Sequence, residues 1–258
     1  MLRPLFLSHG APSLPFEDVP ARHFLEGLAA TIERPRAILA VSAHWETRLP
    51  TVNAVEVNRT IHDFGGFAPE LYRLGYPAPG DPELAARVVE LLGDAGLVAA
   101  TDTTRGLDHG AWVPLMIAWP DAKIPVVQLS VQGHLGPGHH LEVGRAIAPL
   151  TCEGVLVVGS GSFTHDLSSW RGQQGMAEPE WVSDFAEWFD RALTEQRSCD
   201  LLAYLNLAPN AARNHPTEEH LLPLFVALGA AGNDTKATRL HSSTTYGVLR
   251  MDAYAFGA

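Results

Sequence analysis

Cysteine is scarce in this chain, since Cys152 and Cys199 are the only two among 258 residues. Two cysteines cannot build a disulfide framework, and their spacing is not the CxxC pattern of a zinc ribbon or a redox site. We therefore predict that both are structural residues without a chemical role.

Basic residues are also few, with 18 Lys and Arg against 29 Asp and Glu, which gives a formal net charge of −11. Binding to phosphate groups needs clustered Lys and Arg, and here these residues are spread along the chain. The charge therefore argues against a nucleic-acid or anionic-membrane partner.

Long apolar runs and common nucleotide or protease motifs are missing as well. No apolar stretch reaches about 18 residues, and the first residues form a strand-like run rather than a basic segment with an apolar signal core. We expect a cytoplasmic protein. Walker A, GxGxxG and HExxH motifs are absent, which argues against nucleotide binding and zincin-type proteolysis.

The composition suits a folded enzyme, because 46% of residues are hydrophobic and 18% are charged. We expect one catalytic domain over residues 1–258. Short apolar runs bounded by Gly, Pro or polar turns predict buried strands at residues 2–7, 37–43, 124–131 and 154–159. Apolar residues at intervals of three and four predict helices over 82–95, 141–150 and 181–196. This alternation predicts an α/β fold of three layers, with a central mostly parallel or mixed sheet flanked by helices.

Two segments near the C-terminus complete the expected fold. Residues 217–231 resemble a helix in which Thr217 caps the first turn, although Pro223 inside it would remove a hydrogen bond and force a kink. Residues 245–253 form the last strand-like run, which would return to the sheet.

Histidines at the ends of apolar runs or in Gly/Pro motifs are the main chemical signal: His9, His44, His109, His165 and His220. Neutral imidazole is the commonest protein metal ligand and a usual proton carrier near neutral pH. In open α/β sheets, ligands bind beyond the carboxyl ends of the strands. His9, His44 and His165 follow three different strands, so the fold could bring them to one edge. A lone histidine is more often a hydrogen-bonded structural residue, but a purely structural role for all of these histidines is much less expected.

The segment from Asn214 to His220 offers two imidazoles and two carboxylates around one helix start. His215 and His220 are five residues apart, so on a regular helix they would not share a face. We therefore expect only one of them to bind metal.

The loop around His62 could cover a pocket. The serines of Gly159-Ser160-Gly161-Ser162 are interpreted as part of a tight turn, because the GxSxG elbow of a serine hydrolase is absent.

Several motifs together resemble the class III extradiol ring-cleavage dioxygenases, in particular the 4,5-DOPA dioxygenase extradiol branch. They are Leu7-Ser8-His9-Gly10, Ser42-Ala43-His44-Trp45, Tyr76-Pro77-Ala78-Pro79-Gly80, Leu107-Asp108-His109-Gly110-Ala111-Trp112, Thr164-His165-Asp166, and His215-Pro216 followed by Glu219-His220. They span most of the chain and occur in the order of the family.

The resemblance implies roles for individual residues. His9, His44 and His220 would be metal ligands, His165 the acid/base histidine, and His109 a catalytic residue that contacts substrate, with His215 also on the substrate side. The wider superfamily completes its triad with a carboxylate, so Glu219 and His215 remain alternatives to His220 as third ligand.

The implied reaction is the insertion of dioxygen into the ring of a catechol, DOPA-like or related, to give a muconic semialdehyde-type product. Its partners would be a small aromatic diol and dioxygen. Such redox chemistry requires Fe(II), and Zn(II) in the same site would bind substrate without turnover, since zinc has no accessible redox state. Two alternatives remain: a zinc-dependent hydrolase, and a non-enzymatic binding protein on the same fold.

Overall fold

The computed structural model describes residues 1–169, 172–232 and 236–257. The strands of its main sheet are β1 (Leu5–Ser8), β2 (Ala37–Glu46), β3 (Thr51–Asn53), β4 (Ala100–Asp102), β5 (Val126–Val131), β6 (Val155–Gly161), β7 (Ala237–His241) and β10 (Ala253–Phe256), with a separate pair β8 (Thr244–Thr245) and β9 (Leu249–Arg250). The helices are α1 (Pro20–Leu28), α2 (Pro82–Asp94), α3 (His109–Ala118), α4 (Gly136–Ile147), α5 (Glu180–Thr194), α6 (Ser198–Leu202), α7 (Tyr204–Leu207), α8 (Ala211–Asn214) and α9 (Leu222–Ala230).

The main sheet has eight strands in the order β4-β3-β5-β2-β6-β1-β10-β7. The central strands β5, β2, β6 and β1 are parallel, whereas β10 runs antiparallel to both β1 and β7. The sheet is therefore mixed and mostly parallel, as predicted. Because parallel strands end at one edge, the carboxyl ends of β1, β2 and β6 lie side by side.

Helices cover both faces of this sheet. On one face, Leu25 of α1 and Trp112 of α3 share a core with Ile38 of β2. On the other face, Val88 of α2 and Val143 of α4 share a core with the neighbouring residue Leu39. Successive strand residues point to opposite faces, so a continuous apolar run is what a sheet covered on both sides requires. The predicted three-layer α/β fold is confirmed.

The C-terminal predictions were wrong in detail. The helix predicted over 217–231 begins only at Leu222, and Thr217 does not cap it; its hydroxyl bonds the Glu219 carboxylate instead. Pro223 therefore lies in the first turn, where its missing N–H costs no hydrogen bond and no kink follows. The strand predicted over 245–253 is divided between β8, β9 and β10, because Tyr246 and Gly247 both adopt positive φ and reverse the chain.

Both cysteines are free and exposed, so neither packs in the core as the structural role would require. Within the described residues, no helix is long and apolar enough to cross a membrane.

Two glycines let β6 approach the segment that carries His220. A Cβ on Gly159 would collide with the carbonyl oxygen of Pro223, and a Cβ on Gly161 would collide with that of His220. The Gly161 carbonyl also accepts a hydrogen bond from the His9 backbone N–H at 2.9 Å. Gly161 thus sets the distance between two histidine-bearing segments.

The variant Gly161→Ala is expected to lower the free energy of unfolding by about 2–3 kcal/mol, because an added methyl group must displace a backbone carbonyl in a closely packed region. Urea denaturation measures this loss. Gly93→Ala is a matched control with the opposite sign, since Gly93 lies in α2 with no atom within 4 Å of an added Cβ. Alanine there should stabilise the protein by about 0.5–1 kcal/mol. Equal urea midpoints for the two variants would contradict the prediction.

Candidate metal centre

Five histidines from distant parts of the chain meet at the carboxyl edge of the sheet. His9 follows β1, His44 lies near the end of β2, and His165 follows β6. His109 is the first residue of α3, and His220 lies just before α9. The ring centroids of His44 and His109 are 3.9 Å apart, and those of His9 and His44 are 4.9 Å apart. The fold therefore brings together the whole set of histidines that the sequence singled out.

The Nε2 atoms of three of these rings converge on one point. Nε2 of His44 lies 3.1 Å from Nε2 of His9 and 3.3 Å from Nε2 of His220. Nitrogens about 2.1 Å from one metal ion, at angles between octahedral and tetrahedral, would lie about 3.0–3.4 Å apart. The two distances from His44 therefore fit a single divalent ion, and one ligand atom from each of His9, His44 and His220 lies within 4.8 Å of the other two.

Hydrogen bonds on the far side of these rings favour the tautomer that a metal needs. The Ser160 hydroxyl donates to the carbonyl oxygen of Gly110, so it can only accept from Nδ1–H of His9, at 3.2 Å. Nδ1–H of His220 donates to Oε1 of Glu219 at 2.8 Å. With protons on Nδ1, both Nε2 atoms keep their lone pairs. Such outer partners orient the imidazoles and raise the basicity of the nitrogen that faces the metal.

His165 and His109 lie beside this group without joining the Nε2 triplet. The ring of His165 stacks on that of His220, with centroids 3.4 Å apart and planes inclined by 14°. The backbone N–H of His165 donates to the carbonyl oxygen of Asn214 at 2.8 Å. His109 is held by Asp63, whose carboxylate bonds both its backbone N–H and its Nδ1.

A cavity of about 250 Å³ adjoins four of these five histidines. His109 and His165 form its polar end together with His9 and His44, and Phe64, Phe67, Leu167 and Leu249 form apolar walls. The predicted covering loop therefore supplies two aromatic side chains. His62 itself does not line the cavity, because its Nε2 bonds the carbonyl oxygen of Leu74 at 3.0 Å.

His215 does not line the cavity. It is buried, and its Nε2 lies 3.1 Å from the carbonyl oxygen of Phe163 in the polypeptide behind the site. Its ring packs against Phe185 and Tyr204 of the hydrophobic core. The structure therefore places His215 beneath the segment that carries His165, away from the converging Nε2 atoms.

The serines lack a nucleophile's surroundings. Ser160 is buried and holds His9 and Gly110 as described, and the Ser162 hydroxyl donates to the carbonyl oxygen of Thr164 at 2.7 Å. The Ser160 hydroxyl thus links β6 to His9 and α3, and the Ser162 hydroxyl supports the segment that follows the strand. The predicted tight turn is wrong, because Gly159, Ser160 and Gly161 lie within β6. The remaining histidines lie away from the site: His23, His134, His139, His140 and His241.

A buried network of polar side chains supports the site from below, and the sequence did not identify it. Asp108 is fully buried and caps α3; it accepts from the Ser42 hydroxyl at 2.6 Å, from Arg105 at 2.9 Å, and from the Gln128 amide. An Asp before an apolar helical run is a known capping signal and could have identified Asp108. No comparable signal marks Asp63, which lies in a loop.

Burial keeps the imidazoles of His9, His44, His165 and His220 neutral at pH 7, because it lowers their pKa values. Desolvation, followed by repulsion from neighbouring histidines, lowers the pKa of His9 and of His220 well below the usual value. Burial likewise lowers the pKa of His44 to about 4 and that of His165 to about 4. Metal binding requires deprotonated imidazole, so this environment favours the form that binds.

The same pKa shifts predict that the metal-free protein loses stability in mild acid. Above pH 6.5 these histidines are neutral in both the folded and the unfolded protein. Between pH 6.5 and about 4 the unfolded chain binds protons at these histidines, whereas the folded chain does not. Each such histidine lowers the free energy of unfolding by up to about 1.4 kcal/mol per pH unit in this range. Urea denaturation at pH 8, 7 and 5 tests this. Little change from pH 8 to 7 and a clear fall by pH 5 are expected, whereas equal values at pH 7 and 5 would contradict it.

Comparison with known proteins agrees with this geometry. The family described as the catalytic LigB subunit of aromatic ring-opening dioxygenase matches residues 5–257. The chain is 47% identical to 4,5-DOPA dioxygenase extradiol of Beta vulgaris over 255 residues, which cover 97% of this chain and 95% of that protein. It is 42% identical to 4,5-DOPA dioxygenase extradiol of Escherichia coli K12 over 229 residues, covering 88% and 84%. A crystal structure of an uncharacterized Escherichia coli K12 protein matches all of both chains with a TM-score of 0.81 and 36% identity.

Proposed function

Because the chain belongs to the LigB family and is an extradiol aromatic ring-opening dioxygenase, we propose that His9, His44 and His220 bind Fe(II) and that a catechol occupies the cavity above them. The observation that carries this proposal is the convergence of the three Nε2 atoms, at 3.1 and 3.3 Å. When bound there, Fe(II) would supply the redox chemistry with dioxygen that protein side chains lack.

His220 is the third ligand in this proposal, rather than Glu219 or His215. The Glu219 carboxylate already accepts the Nδ1–H of His220, so it supports the ring from behind. His215 lies behind Phe163 and does not reach the Nε2 atoms. Three imidazoles on one face leave adjacent coordination positions open, which a substrate with two neighbouring oxygens and dioxygen require.

The shape and polarity of the cavity support a small aromatic diol as substrate. Phe64, Phe67 and Leu249 offer apolar surface to a ring, whereas the histidines and Ser162 supply the polar side chains of the lining. A catechol bound with its hydroxyls toward His109 and His165 would satisfy both parts of this cavity. DOPA or a related 4-substituted catechol is the proposed substrate, by analogy with relatives whose name is 4,5-DOPA dioxygenase extradiol.

His165 is proposed as the acid/base residue. It lines the cavity proposed to hold the diol, and its lowered pKa of about 4 leaves it neutral and able to accept a proton at pH 7. It would take a proton from one catechol hydroxyl and return it as the ring opens. His109 would hold the diol through its remaining ring nitrogen, and the apolar walls would exclude water.

Reconstitution under anaerobic conditions tests the proposal. Protein loaded with Fe(II) should consume one dioxygen per molecule of L-DOPA or catechol and produce the yellow absorption of a semialdehyde. Protein loaded with Zn(II) should bind the same diols without consuming oxygen, because zinc has no accessible redox state. Oxygen uptake that is independent of the metal, or no ring cleavage across a panel of catechols with Fe(II) bound, would contradict it.

We also propose that the chain forms one catalytic domain. Strands from its two ends pair within one sheet, since β1 lies between β6 and β10. Limited proteolysis should therefore find no fragment that keeps its structure when separated from the remainder.

A further inference from the structure

The carboxylate of Asp63 forms two hydrogen bonds with His109. Oδ1 accepts the backbone N–H of His109 at 2.9 Å, and Oδ2 lies 2.9 Å from Nδ1 of the same residue. His109 is the first residue of α3, so its backbone N–H has no partner within the helix. The Asp63 side chain, only 21% exposed, thus fixes both the backbone and the ring of His109.

This contact selects one tautomer of His109. An ionised carboxylate only accepts hydrogen bonds, so Nδ1 must carry a proton to bond Oδ2. In the neutral ring Nε2 then has a free lone pair, on the side of the imidazole that faces away from Asp63. Within the described part of the chain Nε2 of His109 forms no hydrogen bond, and His109 lines the cavity. That nitrogen is therefore available as an acceptor for a bound molecule.

The loop that carries Asp63 is anchored at Ile61 by two hydrogen bonds. The backbone N–H of Ile61 donates to the carbonyl oxygen of Leu107 at 2.8 Å, and the Trp112 indole N–H donates to the carbonyl oxygen of Ile61 at 2.9 Å. Oδ2 also lies 3.6 Å from Nδ1 of His44. One carboxylate from a loop with no strand or helix thus touches two histidines of the site.

We propose that Asp63 is a positioning residue for ring opening: it keeps the Nδ1–H tautomer of His109, so that Nε2 accepts a hydrogen bond from a catechol hydroxyl. The inference rests on the proposed function, since it assigns His109 to the bound diol. A purely structural Asp63 would anchor the loop and the start of α3 without any effect on the tautomer.

The variant Asp63→Asn separates these two roles because it keeps the size of the side chain and one of its acceptors. The amide oxygen must face the His109 backbone N–H, which has no other acceptor, so the NH₂ group faces Nδ1. Nδ1 then becomes an acceptor and the ring proton moves to Nε2. The loop and the helix start are preserved, but Nε2 now points a donor at the diol.

Two measurements follow. The first is NMR of Zn(II)-loaded protein with ¹⁵N-labelled histidine, in which the His109 ring proton is assigned by the loss of its signal in His109→Gln. That proton should couple to Nδ1 in the wild type and to Nε2 in Asp63→Asn. In Fe(II)-loaded protein, kcat should fall by about 10- to 100-fold, the range typical of lost outer partners. Fe(II) content should remain stoichiometric. The control Glu70→Gln removes the same charge from an exposed position of the neighbouring segment and should change neither result.

Either measurement can overturn the inference. A wild-type His109 that carries its proton on Nε2 would refute it, and so would an Asp63→Asn enzyme with unchanged kcat or with a loss no greater than its loss of iron. The NMR measurement of the wild-type tautomer requires neither turnover nor a folded Asp63→Asn variant. Failure of ring cleavage in the wild type would therefore count against the proposed function, whereas the wrong tautomer would count against the role of Asp63.

Discussion

Replacing His220 with alanine is expected to weaken Fe(II) binding by more than about 100-fold and to remove ring cleavage, because the change deletes one of three converging nitrogens. Loss of an outer partner alone lowers metal affinity by about 10- to 100-fold, and the loss of a ligand should exceed that range. His215 cannot take its place, because its ring is buried with Nε2 3.1 Å from the carbonyl oxygen of Phe163. Competition with a chromogenic chelator measures the affinity, and oxygen uptake measures turnover.

Two further variants make this result specific. Glu219→Gln keeps His220 but replaces the carboxylate that accepts from its Nδ1 at 2.8 Å, so a smaller loss of affinity, about 10-fold, is expected. His23→Ala removes an exposed histidine and should leave affinity unchanged. If Glu219→Gln lost more metal than His220→Ala, the carboxylate would be the third ligand and the proposed ligand set would be wrong.

Replacing His165 with glutamine is expected to lower kcat by about 10²- to 10⁴-fold while Fe(II) content stays stoichiometric, since general acid–base catalysis contributes about this much. Glutamine fills similar space and can form hydrogen bonds, but it cannot take up and return a proton. The His165 backbone N–H, which donates to the carbonyl oxygen of Asn214, is kept in the variant. Steady-state oxygen uptake gives kcat, and anaerobic titration with 4-nitrocatechol shows that diol binding survives.

The control for this variant is His134→Gln, at an exposed histidine outside the cavity, which should keep full activity. A His165→Gln enzyme with kcat within threefold of the wild type would exclude His165 as the acid/base residue. Loss of iron in parallel with activity would instead make it a ligand. The distinction is informative because the rings of His165 and His220 are stacked at 3.4 Å and yet have different proposed roles.

Much of the fold could be predicted because its main strands are continuous apolar runs. Residues buried on both faces leave a signal in the sequence, and β2, β5 and β6 were found at nearly their observed bounds. The short strands β3 and β4, with three residues each, were missed because such segments carry little periodicity. Strand β7 was also missed, since most of its residues are exposed.

The C-terminal segment was harder for a different reason. Residues 245–253 have the composition of one strand, but positive φ at Tyr246 and Gly247 divides it, and β10 follows later. Local propensity does not encode such a reversal unless the turn residues are typical, and tyrosine at positive φ is not. The predicted start of α9 was too early, because residues 217–221 form a non-helical segment that places His220 next to His44.

The sequence by itself determined the chemistry available to this protein: histidines at the ends of apolar runs, in an order that identifies the family, with no competing motif. Only the tertiary structure decided how they combine. The parallel arrangement of β1, β6 and β2 places His9 and His44 with Nε2 atoms 3.1 Å apart, which no local pattern can encode. Glu219 and Asp63 act through hydrogen bonds to the rings of His220 and His109, and the fold fixes the positions of these rings. The tautomer of a histidine depends on the hydrogen-bond partner of each ring nitrogen, and only the tertiary structure supplies that partner.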